Sequence, residues 1–438
     1  TGREASWSMP WDVPGGELAV RVDALAAIFL VQIFAIVPLA SIYGLEYWPQ
    51  RDHPTNGRKL RLFYGLLTAS MAILVVAHNA IFFLMGWEGM ALAAFLVVTT
   101  DDTDPAVREA GYVYLVATRI GTLCLFTMFA VLRHANGNWT FDVTKPIGAG
   151  PATAIFLLGA AGCALKAGAM PAHVWLPGAH ANSPSHVSAV MSGVLIKMGI
   201  YAFVRITSFF AHPPLAWGIG VFVVGVVSGV LGVAFALGQH DLKRLLAYHS
   251  VENIGIILIG LGVAMIGRAV GDPIVVALGL AGALLHVWNH GLFKALLFLS
   301  AGSVVHATHT REMDALGGLA KSMPRTAVAF LVGSIAICGL PPFNGFVSEL
   351  LVYLGLFRAT LLNDGAASVA GAFGVPALAL IGALALACFA KVFGVVFLGV
   401  PRSDRAARAK EAGPAMTLPM LVLGLAFIWM LPESPSFL

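Results

Sequence analysis

The sequence predicts an all-α polytopic membrane protein. Three observations predict it. Hydrophobic residues make up 58% of the 438 residues and charged residues only 11%, against about 25% charged in soluble domains. The apolar residues fall in continuous runs such as 23–45 and 415–431, each long enough to cross about 30 Å of hydrocarbon as a helix. The runs do not alternate polar with apolar, which argues against a transmembrane barrel. A soluble chain of this length would need a polar surface that this composition cannot supply.

About twelve spans are expected, near 23–45, 62–78, 80–100, 110–132, 152–172, 187–207, 216–237, 246–266, 273–301, 326–357, 372–399 and 415–431. Residues 1–22 and 432–438 flank them. Loop charge tests the order, because cytoplasmic loops carry the excess of Lys and Arg. The loops near 46–61, 101–109, 173–186, 238–245, 302–325 and 400–414 hold fourteen cations: Arg51, Arg58, Lys59, Arg61, Arg108, Lys243, Arg244, Arg311, Lys321, Arg325, Arg402, Arg405, Arg408 and Lys410. The opposite loops and both termini hold six: Arg3, Arg21, Arg133, Lys145, Arg268 and Arg358. The first set is therefore expected in the cytoplasm, with both visible termini outside. Cys124, Cys163, Cys338 and Cys388 lie inside apolar runs without a CxxC pair, so they read as small core residues.

Of the 26 Lys and Arg, those two sets leave six within or at the edge of spans: Arg119, Lys166, Lys197, Arg205, Lys294 and Lys391. Glu88, Glu252 and Glu349 join them, and His286 and His290 share a span with Lys294. A charge at the bilayer centre costs at least about 2.5–3.5 kcal/mol on insertion scales, so such groups call for a use. Glu88, Lys166, Lys197 and Glu349 are flanked by apolar residues and read as functional. Arg205 lies near a span end and is expected to snorkel. Arg119 and Lys391 are either functional or structural partners of buried acids. His286, His290 and Lys294 recur at i, i+4, i+8 and share one helix face. A proton relay, hydrogen-bonded packing and a metal site are the three readings. Imidazole titrates near neutrality through two nitrogens, and a desolvated amine exchanges its proton near pH 7. No third metal ligand lies near in sequence, so no metal is expected. Gly225, Gly229 and Gly232 sit in a span and read as helix packing rather than a nucleotide loop.

A weak internal repeat adds direction. Glu88 and Glu252 each stand near the start of a span. Pro171 follows the first by 83 residues, and Pro341 and Pro342 follow the second by about 90. Gly and Pro break helices, and broken helices at matching places in two halves point to a transporter site.

The stretches LKAGAMPAHVWLPGAHANSPSHVSAVMSGVLIKMGIYAFVR (165–205), QHDLKRLLAYHSVENIGIILIGLG (239–262), LHVWNHGLFKALLFLSAGSV (285–304) and GLPPFNGFVSE (339–349) are long and ordered. With them the chain resembles the antiporter-like, proton-conducting subunits of respiratory complex I and membrane-bound hydrogenases. The likeness is greatest to the hydrogenase 4 and formate hydrogenlyase branch, which HANSPSH (180–186) favours, and it covers nearly the whole chain. It implies a fourteen-span core of two inverted five-helix repeats, here about 62–207 and 216–399, within a transmembrane domain over 23–431. The twelve spans would match the third to the fourteenth, so the chain, which starts at Thr1, reads as a fragment lacking the first two. The resemblance implies a proton path of Glu88, Lys166, Lys197, His286, His290, Lys294 and Glu349, with Glu88 paired to Lys166. Arg119, Glu252 and Lys391 are further candidates; a histidine is expected where Arg119 stands. It also implies no cofactor in this chain, [NiFe] and iron–sulfur centres in a soluble redox arm, and other membrane subunits in a bacterial or archaeal inner membrane. The moved ion would be the proton or sodium, and no nucleic acid is expected. A sodium/proton antiporter subunit and a non-conducting scaffold subunit are the rival readings.

Overall fold

The computed structural model describes residues 4–13 and 15–429. Arg3, the segment 432–438 and the end of the last expected span therefore lie outside the described residues. Among the described residues helices joined by loops predominate and one hairpin pairs two strands, and the chain divides into two compact units. Among the described residues ten helices are long and apolar enough to cross a membrane, and two shorter apolar helices accompany them, Pro324–Ile337 and one that begins at Pro414.

The first unit comprises Thr1–Val37, Gln50–Ser183 and Val194–Ala211. Its N-terminal segment, expected only as a flank, forms an antiparallel hairpin of β1 (Ala5–Pro10) and β2 (Glu17–Val22), with Ala5 opposite Val22 and Pro10 opposite Glu17. Helices α1 (Ala24–Tyr47), α2 (Gly57–Val76), α3 (Ala80–Val98), α4 (Pro105–Asn136) and α5 (Ala149–Ala167) follow. Their limits follow local chemistry. Asn79 accepts from Ile81 N at 2.9 Å to cap α3, and Asp104 accepts from Ala106 N at 2.8 Å to cap α4, where Pro105 occupies the first turn. Gly137 and Gly168 end α4 and α5 in the left-handed region that suits glycine. The expected span 152–172 thus stops at Ala167, because Gly168 turns the chain in the left-handed region and Pro171 cannot resume the helix. The short helix α6 (Leu176–Asn182) follows in this unit; the chain then runs through α7 (Ser185–Val190) and the start of a π turn at Met191–Leu195, which are assigned to the second unit, before α8 (Lys197–Thr207) in the first. The expected span 187–207 is this interrupted helix.

The second unit comprises Pro38–Pro49, Pro184–Gly193 and His212–Leu438. Its main helices are α9 (Leu215–Leu237), α10 (Leu242–Val270) and α11 (Pro273–Thr308). After a 3-10 turn at Met313–Ala315 come α12 (Leu319–Ser322), α13 (Pro324–Ile337), α14 (Asn344–Ala359), α15 (Gly365–Phe397), α16 (Asp404–Ala407) and α17 (Pro414–Trp429). The expected span 326–357 is two helices. Gly339, at positive φ, and Pro341 and Pro342 cannot continue α13, so the chain breaks at 338–343 before α14 begins. Lys243, counted from sequence as a loop cation, is buried in the first turn of α10.

Helix α10 is buried along most of its length, packed by α9, α11, α14 and α15. Its seam with α9 is made of glycines. A Cβ on Gly255 would stand 2.3 Å from Gly229 N, and one on Gly232 would stand 2.7 Å from Glu252 N. The packing read from Gly225, Gly229 and Gly232 is thus what the structure has, and it sets the depth at which Glu252 sits. Many large side chains elsewhere, such as Leu123, Phe126 and Phe373, face outward, as lipid-facing helices require.

Two expectations follow. Gly255→Leu would drive a side chain into the α9 backbone and cost about 1–3 kcal/mol or more, read as a lower unfolding midpoint and yield in detergent. In the first unit, Asp142 hydrogen-bonds His78 Nε2 at 3.0 Å and Arg21 Nη1 at 3.2 Å, tying β2 to the loop after α4. Partial burial pushes its carboxyl up, but His78 and Arg21 outweigh this and hold it below the usual carboxylate range. A lowered folded pKa means the contribution is present above about pH 4 and fades as pH falls through the folded value. Since Asp142 is half exposed, the effect should stay under about 1 kcal/mol. Amide protection in loop 137–148, taken relative to the intrinsic exchange rate at each pH, should fall below about pH 4, and Asp142→Asn should remove that pH dependence.

Candidate functional site

In the first unit, α3, α4 and α5 bring Glu88, Tyr114, Arg119, Thr122 and Lys166 together. Glu88 points from α3 to α4, where Arg119 donates to Oε2 and Thr122 donates to Oε1. The residues 119 and 122 are one turn apart, so a single face of α4 serves both carboxylate oxygens. Lys166, in the last turn of α5, is buried. Its Nζ donates to Tyr114 Oη at 3.2 Å and lies 5.7 Å over the Trp87 ring and 5.6 Å over the Tyr114 ring. Aromatic faces favour a desolvated ammonium. Trp175 closes this pocket, donating Nε1–H to Leu165 O at 2.8 Å and packing on Tyr114. The direct partner of Glu88 is therefore Arg119, and among the described residues no ion pair joins it to Lys166. Lys197, first residue of α8, is fully buried. Gly199 allows α8 to approach α5, since a Cβ there would stand 2.7 Å from Cys163 O and 2.8 Å from Ala167 N.

In the second unit, α10, α11 and α14 carry the rest. His286, His290 and Lys294 are fully buried on one face of α11. His286 Nδ1 bonds Ser348 Oγ at 3.0 Å and Nε2 bonds Asn253 Oδ1 at 3.1 Å. Both ring nitrogens are thus engaged by protein groups, which suits a hydrogen-bonded relay and disfavours the metal reading. His286 and His290 stack with centroids 6.4 Å apart. Lys294 Nζ donates to Leu246 O of α10 at 2.5 Å. On the same helix His249 Nδ1 is hydrogen-bonded to Glu252 Oε2, both side chains shut from solvent. Asn289 Nδ2 donates to Asn344 O at 2.7 Å and Ser348 Oγ at 3.1 Å, fastening α11 to the start of α14 just after the break. Glu349 is buried with its carboxylate against the break: a Cβ on Gly339 would stand 2.6 Å from Oε2.

Three expected cations have other duties. Arg205 does not snorkel freely. It donates to Asp23 at 2.6 and 3.0 Å and to Tyr201 Oη at 3.0 Å. Lys391 donates to Leu237 O at 2.8 Å and Gln239 O at 3.3 Å, so it closes the C-terminal end of α9, where carbonyls lack intrahelical partners. Arg119 is the partner of Glu88, whose side chain is partly buried. Tyr114, Thr122, His249, Asn253, Asn289 and Ser348 were not read from sequence as site residues. For all but Tyr114 the signal was a polar residue in an apolar helix three residues from, or one residue beside, a named ionisable group; Tyr114, five residues before Arg119, gave no such signal. Among the described residues no group of three or more His, Cys, Asp or Glu is placed to hold a metal ion.

Comparison with known proteins agrees with the polytopic helical fold. Hydrogenase-4 component B of Escherichia coli (strain K12) is 39% identical over 431 residues, 95% of this chain and 64% of that protein. Formate hydrogenlyase subunit 3 of the same organism is 36% identical over 428 residues, 94% of this chain and 68% of that protein. The chain thus spans about two thirds of the length of these relatives. A chain of the Mrp complex from Dietzia sp. DQ12-45-1b superposes with a TM-score of 0.84 at 26% identity, covering 97% of this chain and 44% of that one. Residues 77–374 match the family described as "NADH:quinone oxidoreductase/Mrp antiporter, TM", and the chain is a multi-span membrane protein belonging to it.

Proposed function

We propose that this chain is a proton-translocating membrane subunit of a hydrogenase-type or complex I-like assembly. One observation carries the reading. Lys166 and Lys294 are buried, and each donates to a neutral oxygen, Tyr114 Oη or Leu246 O, not to a carboxylate. An ammonium locked in a buried ion pair gives up its proton at great cost. One held by a neutral acceptor can trade it when a nearby charge changes.

The mechanism is electrostatic gating. Ionised Glu88 stabilises the proton on Lys166 from a short distance. Moving that charge, or one on a neighbouring subunit, loosens the proton and drives it on to Lys197. Within a low-dielectric interior a single charge a few ångströms away governs such transfers. His286, His290 and Lys294 carry the proton within the second unit, and Glu349 beside the 338–343 break passes it outward. The first repeat over 62–207 and the second over 216–399 belong to this reading; each contains one helix interrupted by Gly and Pro. Loops rich in Lys and Arg would face the cytoplasm in a bacterial or archaeal inner membrane. The redox step would take place at [NiFe] and iron–sulfur centres of partner subunits in a soluble arm. Arg119 supports a membrane neighbour: midway along α4 its side chain is 46% exposed, and a guanidinium facing hydrocarbon is costly unless a polar partner covers it.

The likeness to an Mrp chain favours a second reading, a sodium/proton antiporter subunit. Vesicles containing the intact complex separate them, since only the antiporter requires sodium for proton movement. In the same vesicles Lys166→Ala and Glu88→Gln should each lower pumping about ten-fold or more, with assembly unchanged. Tyr114→Phe, which removes the acceptor of Lys166, should lower it less. Undiminished pumping by assembled Lys166→Ala complex would leave a non-conducting scaffold as the role of this chain.

A further inference from the structure

The His249–Glu252 pair of α10 lies outside the lysine and α11-histidine relay. Both side chains are fully enclosed, at 0% and 1% exposure, with Nδ1 hydrogen-bonded to Oε2. The imidazole lies against Phe389 of α15, centroids 4.5 Å apart, and among the described residues its Nε2 has no hydrogen-bond partner. One turn before the pair, Leu246 O accepts from Lys294 Nζ at 2.5 Å. Just after it, Asn253 Nδ2 donates to His249 O at 2.7 Å while Asn253 Oδ1 bonds His286 Nε2 at 3.1 Å. Along α10 the pair therefore sits between the attachment points of Lys294 and His286. The titratable groups that face it are Lys294 from α11, Glu349 from α14, Cys338 at the end of α13, and Cys388 with Lys391 beyond it from α15, while His286 of α11 reaches α10 through Asn253 beside Glu252. Helix α9 offers none over Leu215–Leu237.

Packing alone does not account for the pair. Two side chains three residues apart on one helix fasten that helix to nothing else, and enclosing an ionisable pair carries a desolvation cost that apolar residues avoid. The α9 seam is already made by glycine contacts.

We propose that His249 is a proton-loading residue whose charge state, transmitted through Glu252, determines whether Lys294 keeps its proton. This rests on the proton-translocation reading above. With Nδ1 protonated and Nε2 bare, the pair carries one negative charge, on the Glu252 carboxylate, and stabilises the Lys294 ammonium. A hydronium ion arriving at Nε2 gives up one proton and leaves as water, which turns the Nε2 lone pair into an N–H bond and brings the pair to zero net charge. The Nδ1 proton can then pass to Oε2, leaving neutral imidazole beside carboxylic acid at the same net charge. Lys294 loses its counter-charge, one N–H bond breaks with the electron pair staying on Nζ, and the proton leaves towards His290, one turn back on α11. Glu252 is a positioning residue for Lys294, and His249 sets the timing.

The test uses the whole complex in vesicles, with proton movement followed by a pH-sensitive dye from about pH 5 to 9, a range that brackets imidazole titration. His249→Gln keeps an N–H donor for Glu252 but cannot take up a proton. It should pump at least about ten-fold less while the complex assembles. Glu252→Gln should lower pumping and flatten its pH profile, and Glu252→Asp should restore part of both. Wild-type pumping with an unshifted pH profile in His249→Gln overturns the proposal when Lys166→Ala in parallel still stops pumping. If Lys166→Ala also pumps normally, the translocation reading fails and this inference with it. Should His249→Gln not assemble, infrared difference spectra of the wild-type complex across the same pH range decide. A coupled change in imidazole and carboxyl bands, assigned with Glu252→Asp, supports the pair as a titrating unit. Bands that stay constant overturn it.

Discussion

A charge in hydrocarbon persists only where other protein groups replace its water, and the interior of this protein is arranged around that requirement. Glu88 is met by Arg119 and Thr122 from one face of α4. Lys166 is met by Tyr114 and two aromatic faces. Lys294 is met by the carbonyl of Leu246. These contacts demand helices close enough for short polar side chains to reach, and close approach demands small residues. Gly199 brings α8 onto α5, and the Gly229–Gly255 crossing brings α9 onto α10. The helix breaks meet the same requirement with backbone. At 338–343 the chain leaves α13 and Gly339 faces the Glu349 carboxylate without a side chain between them.

The ionised groups fall into two kinds by partner. Asp23–Arg205, Asp272–Arg358 and Asp241–Arg311 are ion pairs near helix ends. Arginine keeps its charge at any working pH, so these pairs hold structure and do not exchange protons. Lys166 and Lys294 face neutral oxygens, and His286 and His249 face hydroxyl, amide or carboxylate groups that can donate or accept. Lys391 belongs with the structural set, because its partners are the free carbonyls at the end of α9.

The polytopic fold was legible because runs of apolar residues carry a strong signal, and the ionisable residues were legible because a charge inside such a run stands out. Breaks were less so. Pro341 and Pro342 marked a weak point, yet apolar residues on both sides made 326–357 look like one span. The hairpin at 5–22 was missed because its strands are six residues each and alternate only weakly. Partners were the least legible. Thr122, Asn253 and Ser348 are ordinary in apolar helices, and only tertiary packing shows that they bind Glu88 and His286. The direct partner of Glu88 was hidden for a related reason: the sequence placed Arg119 in a span without showing that it turns toward α3.

That last difference bears on how the first unit would work. Arg119 reaches Glu88 from a position still 46% exposed, while Lys166 is wholly enclosed. The carboxylate is therefore neutralised from the outer face of α4, and Lys166 is held by a phenol. Charge on whatever covers that face competes directly for Arg119. An anionic group drawing the guanidinium outward would leave Glu88 with Thr122 alone and strengthen its pull on Lys166, whereas a cation would do the reverse. Arg119 thus supplies a physical route by which a neighbouring subunit could set the proton affinity of a lysine it never touches. The residue that departs from the expected histidine is the one through which such a signal would arrive.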